Sequence, residues 1–138
     1  MLEGAREEVE AIEISPQDGQ TNAKRHYIMG KILYAENRYM KAYQEFMAAK
    51  EMRGVSTKRK AKAWLKIGLV KTMASNHMQA LQSAARAREF VDGKDKLLKF
   101  KWMLSKAGLL KKGSWYKQSY DLLKELEKEI DSHLETLQ

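Results

Sequence analysis

Apolar side chains recur three and four positions apart through most of this chain, the spacing that gathers them on one side of a helix. The clearest block, Ala61 to Phe90, reads as two helices joined by a polar turn at Ser75-Asn76. Trp64 and Gly68 share a face of the first helix, and Ala80, Ala84 and Ala87 line the second. Small residues let the two helices approach closely, and the Trp fills the seam. One such hairpin cannot bury its apolar face alone, so the pattern predicts recurrence.

Recurrence is found at a period of 38 residues. One period before Trp64, Gly68, Ala80 and Ala87 stand His26, Gly30, Ala42 and Ala49; one period after stand Trp102, Lys106, Gln118 and Glu125. The turns align at Asn37, Ser75 and Gly113, followed two places later by Tyr39, His77 and Trp115. Ala11, Ile14 and Pro16 fall one period before Ala49, Met52 and Gly54. The expectation is an all-α single domain over 1–138, beginning with a helix over 5–16 that the turn from Ser15-Pro16 closes. A hairpin over 21–54 follows, capped at Thr21 or Asn22 and ended by Gly54. A second hairpin covers 57–93, starting from Ser56 or Thr57. The third unit covers 95–138, with a helix from Asp95 to near Leu110, a turn at Lys111 to Ser114, and a last helix from Trp115.

That last helix becomes amphipathic after Asp121. Leu123, Leu126, Ile130, Leu134 and Leu137 alternate with Glu125, Glu127, Glu129, Asp131 and Glu135. Such a helix either closes the stack against water or self-associates with a second chain through a short coiled-coil seam.

The run Tyr27-Ile28-Met29-Gly30-Lys31-Ile32-Leu33-Tyr34, with Asn37-Arg38-Tyr39, Ala42, Phe46 and Ala49, resembles a tetratricopeptide repeat (TPR). That motif places a Gly inside the first helix, an aromatic after the turn, then Ala, a large apolar residue and Ala along the second. Trp64, Ile67, Gly68, Ala80 and Ala87 carry the resemblance into the second unit, where His77 stands for the aromatic and Ala84 for the large residue. In the third, Trp102, Leu109, Gly113, Trp115 and Leu122 match, while Lys106 and Gln118 break the pattern. The likeness spans roughly Ala11 to Leu126, and each unit is about four residues longer than the usual 34.

The resemblance implies a TPR-like α-solenoid of antiparallel hairpins. An extra N-terminal helix, or half repeat, would precede it, and a longer capping helix would close it. It also implies a scaffold or adaptor whose partner peptide lies in a concave groove lined by the first helix of each hairpin. Facing away from the seam on those helices are Lys24, Tyr27, Lys31 and Tyr34; then Lys62, Leu65, Leu69 and Thr72; then Met103, Ala107 and Leu110. The groove would be basic and tyrosine-lined at one end and apolar at the other. That suits an acidic peptide or an amphipathic helix. The family's grip on C-terminal carboxylates uses Asn residues that these helices lack, and the third helix offers Phe100 and Leu104 there instead.

Charge sharpens the picture. The net charge is +8, but residues 53–117 alone carry +14, whereas 1–22 carry −5 and 118–138 carry −4. Lys58, Arg59 and Lys60 sit in the first turn of a helix, where each cation opposes the macrodipole by about 0.3–1 kcal/mol. With Lys66 they form a basic patch that is either a solvated face or a site for an anion. RNA is therefore the alternative partner, with Trp64, Trp102, Trp115 and Tyr116 as stacking candidates.

Other chemistry finds no footing. The absence of Cys removes disulfides and thiolate sites, and His26, His77 and His133 lie in separate segments. Gly108 to Ser114 lacks the Lys and the preceding strand of a phosphate-binding loop. No metal, cofactor or catalytic residue is expected, and the chain does not read as an enzyme. No apolar run reaches the ~18 residues of a membrane span. The acidic start is unlike a signal peptide. A cytoplasmic, or more broadly intracellular, protein is expected, with no membrane insertion.

Overall fold

Three hairpins close through the same turn, and that turn explains where the helices stop. Each reverses at one residue in the left-handed region: Asn37 (φ 64°), Ser75 (φ 59°) and Ser114 (φ 70°). The following amide donates back five residues, Arg38 to Leu33, Asn76 to Lys71 and Trp115 to Leu110, at 2.9 Å in every case. This 6→1 bond satisfies a carbonyl that the helix end would otherwise leave orphaned.

The computed structural model describes residues 19–137. It holds six helices: α1 Gly19–Ala35, α2 Tyr39–Glu51, α3 Thr57–Met73, α4 His77–Arg88, α5 Lys96–Lys112 and α6 Tyr116–Thr136. No strand occurs among the described residues. The expected helix over 5–16 lies outside them. Side-chain caps open three helices: Ser56 accepts from the Arg59 amide (3.2 Å), Asn76 from Gln79 (3.4 Å) and Asp95 from Leu98 (3.0 Å). Asn22 lies inside the first helix as described from Gly19 and is buried there rather than capping it, so the first helices do not lack Asn as the sequence reading expected. Gly54, φ 80°, lies beyond the end of α2.

The turn residues also correct the period. They step by 38 and then by 39, as do the starts of α2, α4 and α6. The added residue falls between α4 and α5. In the corrected register the third unit no longer breaks the pattern. Gly30 and Gly68 correspond to Ala107, Ala42 and Ala80 to Ser119, and Ala49 and Ala87 to Leu126; all nine are buried. Lys106, Gln118 and Glu125 each stand one place off this column.

Each helix packs on the next in sequence, and α3 also touches both α1 and α5. No contact joins α2, α4 and α6 to one another, so α1, α3 and α5 lie side by side in one row. One core cluster, Leu33, Ala42, Phe46, Ile67 and Val70, joins the first two hairpins. A second, Leu65, Ala80, Ala84, Ala87 and Leu109, joins the second to the third. Phe46 is fully buried, worth about 2–3 kcal/mol, and it packs where Gly30 leaves room.

Both tryptophans of the first helices are half-buried at seams, each under a cation from the preceding hairpin. Lys50 lies 4.5 Å from the Trp64 ring centre and Arg88 lies 5.5 Å from that of Trp102. Trp102 Nε1 donates to the Ala84 carbonyl at 2.8 Å. Among the described residues, no helix is long and apolar enough to cross a membrane.

Candidate functional site

Side by side, α1, α3 and α5 frame a groove of about 350 Å³. Tyr27 and Lys31 come from α1; Lys62, Leu65, Lys66 and Leu69 from α3; Leu98, Lys101, Leu104 and Ser105 from α5. The repeat register builds it. Lys62 and Lys101 are equivalent positions, as are Tyr27, Leu65 and Leu104, so the same face of each helix supplies the wall. The leucines form an apolar strip and the lysines surround it.

Among the described residues, no carboxylate lines the groove. The ion pairs among the described residues lie elsewhere, including Lys99–Glu129 (3.0 Å), and Glu45 is hydrogen-bonded to His26 (2.6 Å). Lys31, Lys62, Lys66 and Lys101 therefore face one another without an acidic partner among the described residues. The effect shows in their acidity. Burial, and then the charge of Lys31, holds Lys66 below the usual lysine pKa. Lys62 is lowered by burial and then by Lys101, Lys58, Arg59 and Lys31.

Tyr27 closes one end. Its ring stands edge-on to Phe46 at 5.8 Å, with the Lys31 ammonium 5.5 Å and the Arg59 guanidinium 5.4 Å from its centre. Burial raises its hydroxyl pKa, against the pull of Arg59.

The structure brings together some of the residues the sequence singles out and disperses the others. Tyr27, Lys31, Lys62, Leu65, Leu69 and the patch residue Lys66 line the groove. Arg59 reaches its end through Tyr27, whereas Lys60 turns to Phe90 (5.5 Å) and Lys58 is exposed beyond it. Lys24 is exposed on α1 and does not line the groove. Tyr34 packs edge-on against Tyr39 at 5.4 Å, by the turn. Thr72 is buried. Met103, Ala107 and Leu110 are core residues, at 2%, 2% and 7% exposure. The uncorrected period rotates their helix by one residue, about 100°. Phe100 turns the other way, edge-on to His133 at 5.9 Å. Leu98, Lys101 and Ser105 escape the sequence reading, and only the 39-residue step from α3 to α5 would reveal the last two.

A second hollow lies on the opposite face, where Tyr43, Trp64, Lys71, Gln79 and Arg86 meet between α2 and α4. Its aromatic faces are occupied: Lys50 and Arg86 flank Trp64, and Lys71 lies 4.8 Å from the Tyr43 ring centre. No group of three metal-ligating side chains occurs among the described residues. In comparisons with known proteins, no family model, no curated protein and no solved structure matches this chain.

Proposed function

We propose that this chain is a TPR-like stack of helix hairpins acting as a scaffold or adaptor. Its groove would hold an acidic amphipathic segment of another protein, and the role is binding rather than catalysis. The observation carrying this reading is the set of four lysines without acidic partners among the described residues, around an apolar strip. A helix with Leu on one face and Glu beside it would set the Leu on Leu65, Leu69 and Leu104. Its carboxylates would reach Lys31, Lys62, Lys66 and Lys101, relieving their mutual repulsion.

RNA is the weaker reading. Base stacking needs open aromatic faces. Trp64 has Lys50 and Arg86 over its ring, and Trp102 has Arg88 and Lys106 over its ring with its N–H bonded to Ala84, which leaves the exposed Tyr116 as the open candidate.

Fluorescence anisotropy with a labelled Leu/Glu amphipathic peptide tests the proposal. Lys31→Glu with Lys62→Glu should abolish binding and leave the helical circular dichroism unchanged; unchanged affinity would move the site off this face. A single-stranded RNA in the same assay should bind more weakly than the peptide. If instead the RNA binds tighter and its affinity falls steeply between about 50 and 200 mM salt, the RNA reading wins.

A further inference from the structure

Helix α6 leaves one flank open. Its contact with α5 runs through Ser119, whose hydroxyl donates to the Ala107 carbonyl at 2.8 Å, then buried Leu126, then His133 on Phe100. One position further round, a second stripe recurs at steps of three and four: Tyr116, Tyr120, Leu123, Ile130, Leu134 and Leu137, with Glu127 at its centre. All but half-buried Ile130 and Glu127 are large apolar groups between 42% and 70% exposed. The same flank is covered on the earlier outer helices. Tyr43 and Phe46, equivalent to Tyr120 and Leu123, pack in the cluster with Ile67 and Val70 of α3. On α4, Ala84 accepts the Trp102 N–H from α5. The flank is where the stack seats its next helix, and on α6 nothing among the described residues does so.

We infer that a second copy of this chain covers it, α6 against α6 in antiparallel pairing with the two Glu127 side chains at the two-fold axis. Apart from the Glu127 layer, where two carboxylates meet and Lys124 of each helix offsets their repulsion, the stripe is self-complementary in that register. Tyr120 meets Leu134 of the second copy, Leu123 meets Ile130 and Tyr116 meets Leu137, apolar against apolar along about 30 Å of helix. The flanking residues Lys124 and Asp131 then face each other twice, giving two ion pairs across the seam. Parallel pairing gives none, because Lys124 and Asp131 would stand opposite Ser119 and Leu126. Glu127, with Lys124 at 3.8 Å on its own helix, is the single polar layer. Slipping the seam by a heptad would set Asp131 against Asp131 or Lys124 against Lys124, so the two ion pairs fix the register.

Sedimentation equilibrium from micromolar to millimolar protein should show a reversible dimer. Leu123→Glu or Leu134→Glu should weaken it about tenfold or more at unchanged helicity. Lys124→Asp and Asp131→Lys should each weaken it, and the double variant should restore it. The chain has no Cys, so single cysteines report the pairing directly. Under mild oxidation Glu127→Cys should cross-link, whereas Lys117→Cys should not, its two copies lying about 30 Å apart. A monomer at every concentration overturns the inference, as does a dimer unmoved by Leu134→Glu. Equal cross-linking of both cysteines would mean parallel pairing and overturns it too. Loss of the dimer in the Lys31→Glu, Lys62→Glu protein alone would place the second copy in the groove instead.

Discussion

Adding one methyl group at three glycines should have three different outcomes, and the difference tests the packing of the first hairpin. At Gly30 a Cβ would lie 2.6 Å from Cε1 and 2.7 Å from Cδ1 of Phe46, a side chain with no exposed surface and no room to retreat. At Gly68 the nearest atoms are a leucine methyl of Leu109 at 3.1 Å, which can rotate, and the Ala80 carbonyl oxygen at 3.2 Å, which cannot. At Gly108 nothing lies within 4 Å. In each helix Ala gains about 1 kcal/mol over Gly by limiting the unfolded chain. Gly108→Ala should therefore stabilise by nearly that amount. Gly68→Ala should come out near zero, the tight carbonyl contact cancelling the propensity gain. Gly30→Ala meets an overpacking cost of about 1–3 kcal/mol, leaving a net loss of about 1–2 kcal/mol.

Urea unfolding followed by circular dichroism resolves these differences, which amount to roughly 4 °C in Tm per kcal/mol for a domain of this size. Phe46→Leu supplies the control. It opens space beside Gly30, so it should cost less in the Gly30→Ala background than alone, with a coupling of about 1 kcal/mol. Gly30→Ala stabilising as much as Gly108→Ala, or strict additivity with Phe46→Leu, would refute the close approach of α1 and α2 at this point.

Two further outcomes follow from the seams and the groove. Trp102→Phe removes the 2.8 Å bond from Nε1 to the Ala84 carbonyl at the α4–α5 seam and should cost about 1 kcal/mol, read as a shift in the urea midpoint; a loss below error would mean that bond contributes nothing. Lys66 binds its proton less tightly folded than unfolded, so between its lowered pKa and the ordinary 10.5 the unfolded chain holds more protons and stability rises with pH. Lys66→Met should be the more stable protein at neutral pH, by about 0.5 kcal/mol, and should lose that rise. The comparison is made below pH 10, because Tyr27, with its raised pKa, pulls stability down as it ionises above that point.

How much of this was legible follows from which residues carry the register. The first two hairpins are readable because Gly30, Gly68, Ala42 and Ala80 are buried where helices pack closely, and the same small residues recur there one period apart. The third is misread by one residue, and the cause is local. Gly113 is the residue a reader places in the left-handed turn, since glycine reaches positive φ without cost. In the structure Gly113 has φ −84° and the turn belongs to Ser114. Gly113 is small for another reason: a Cβ there would run into the Trp115 ring. The true turn column, Asn37, Ser75 and Ser114, shares tolerance for a strained conformation rather than a residue type. One misplaced turn rotates all of α5 by about 100°. That is enough to send Met103, Ala107 and Leu110 into the expected groove and to hide Lys101 and Ser105, which form its far wall. In stacked helices the error does not stay where it is made, because a face assignment is inherited by every residue of the helix.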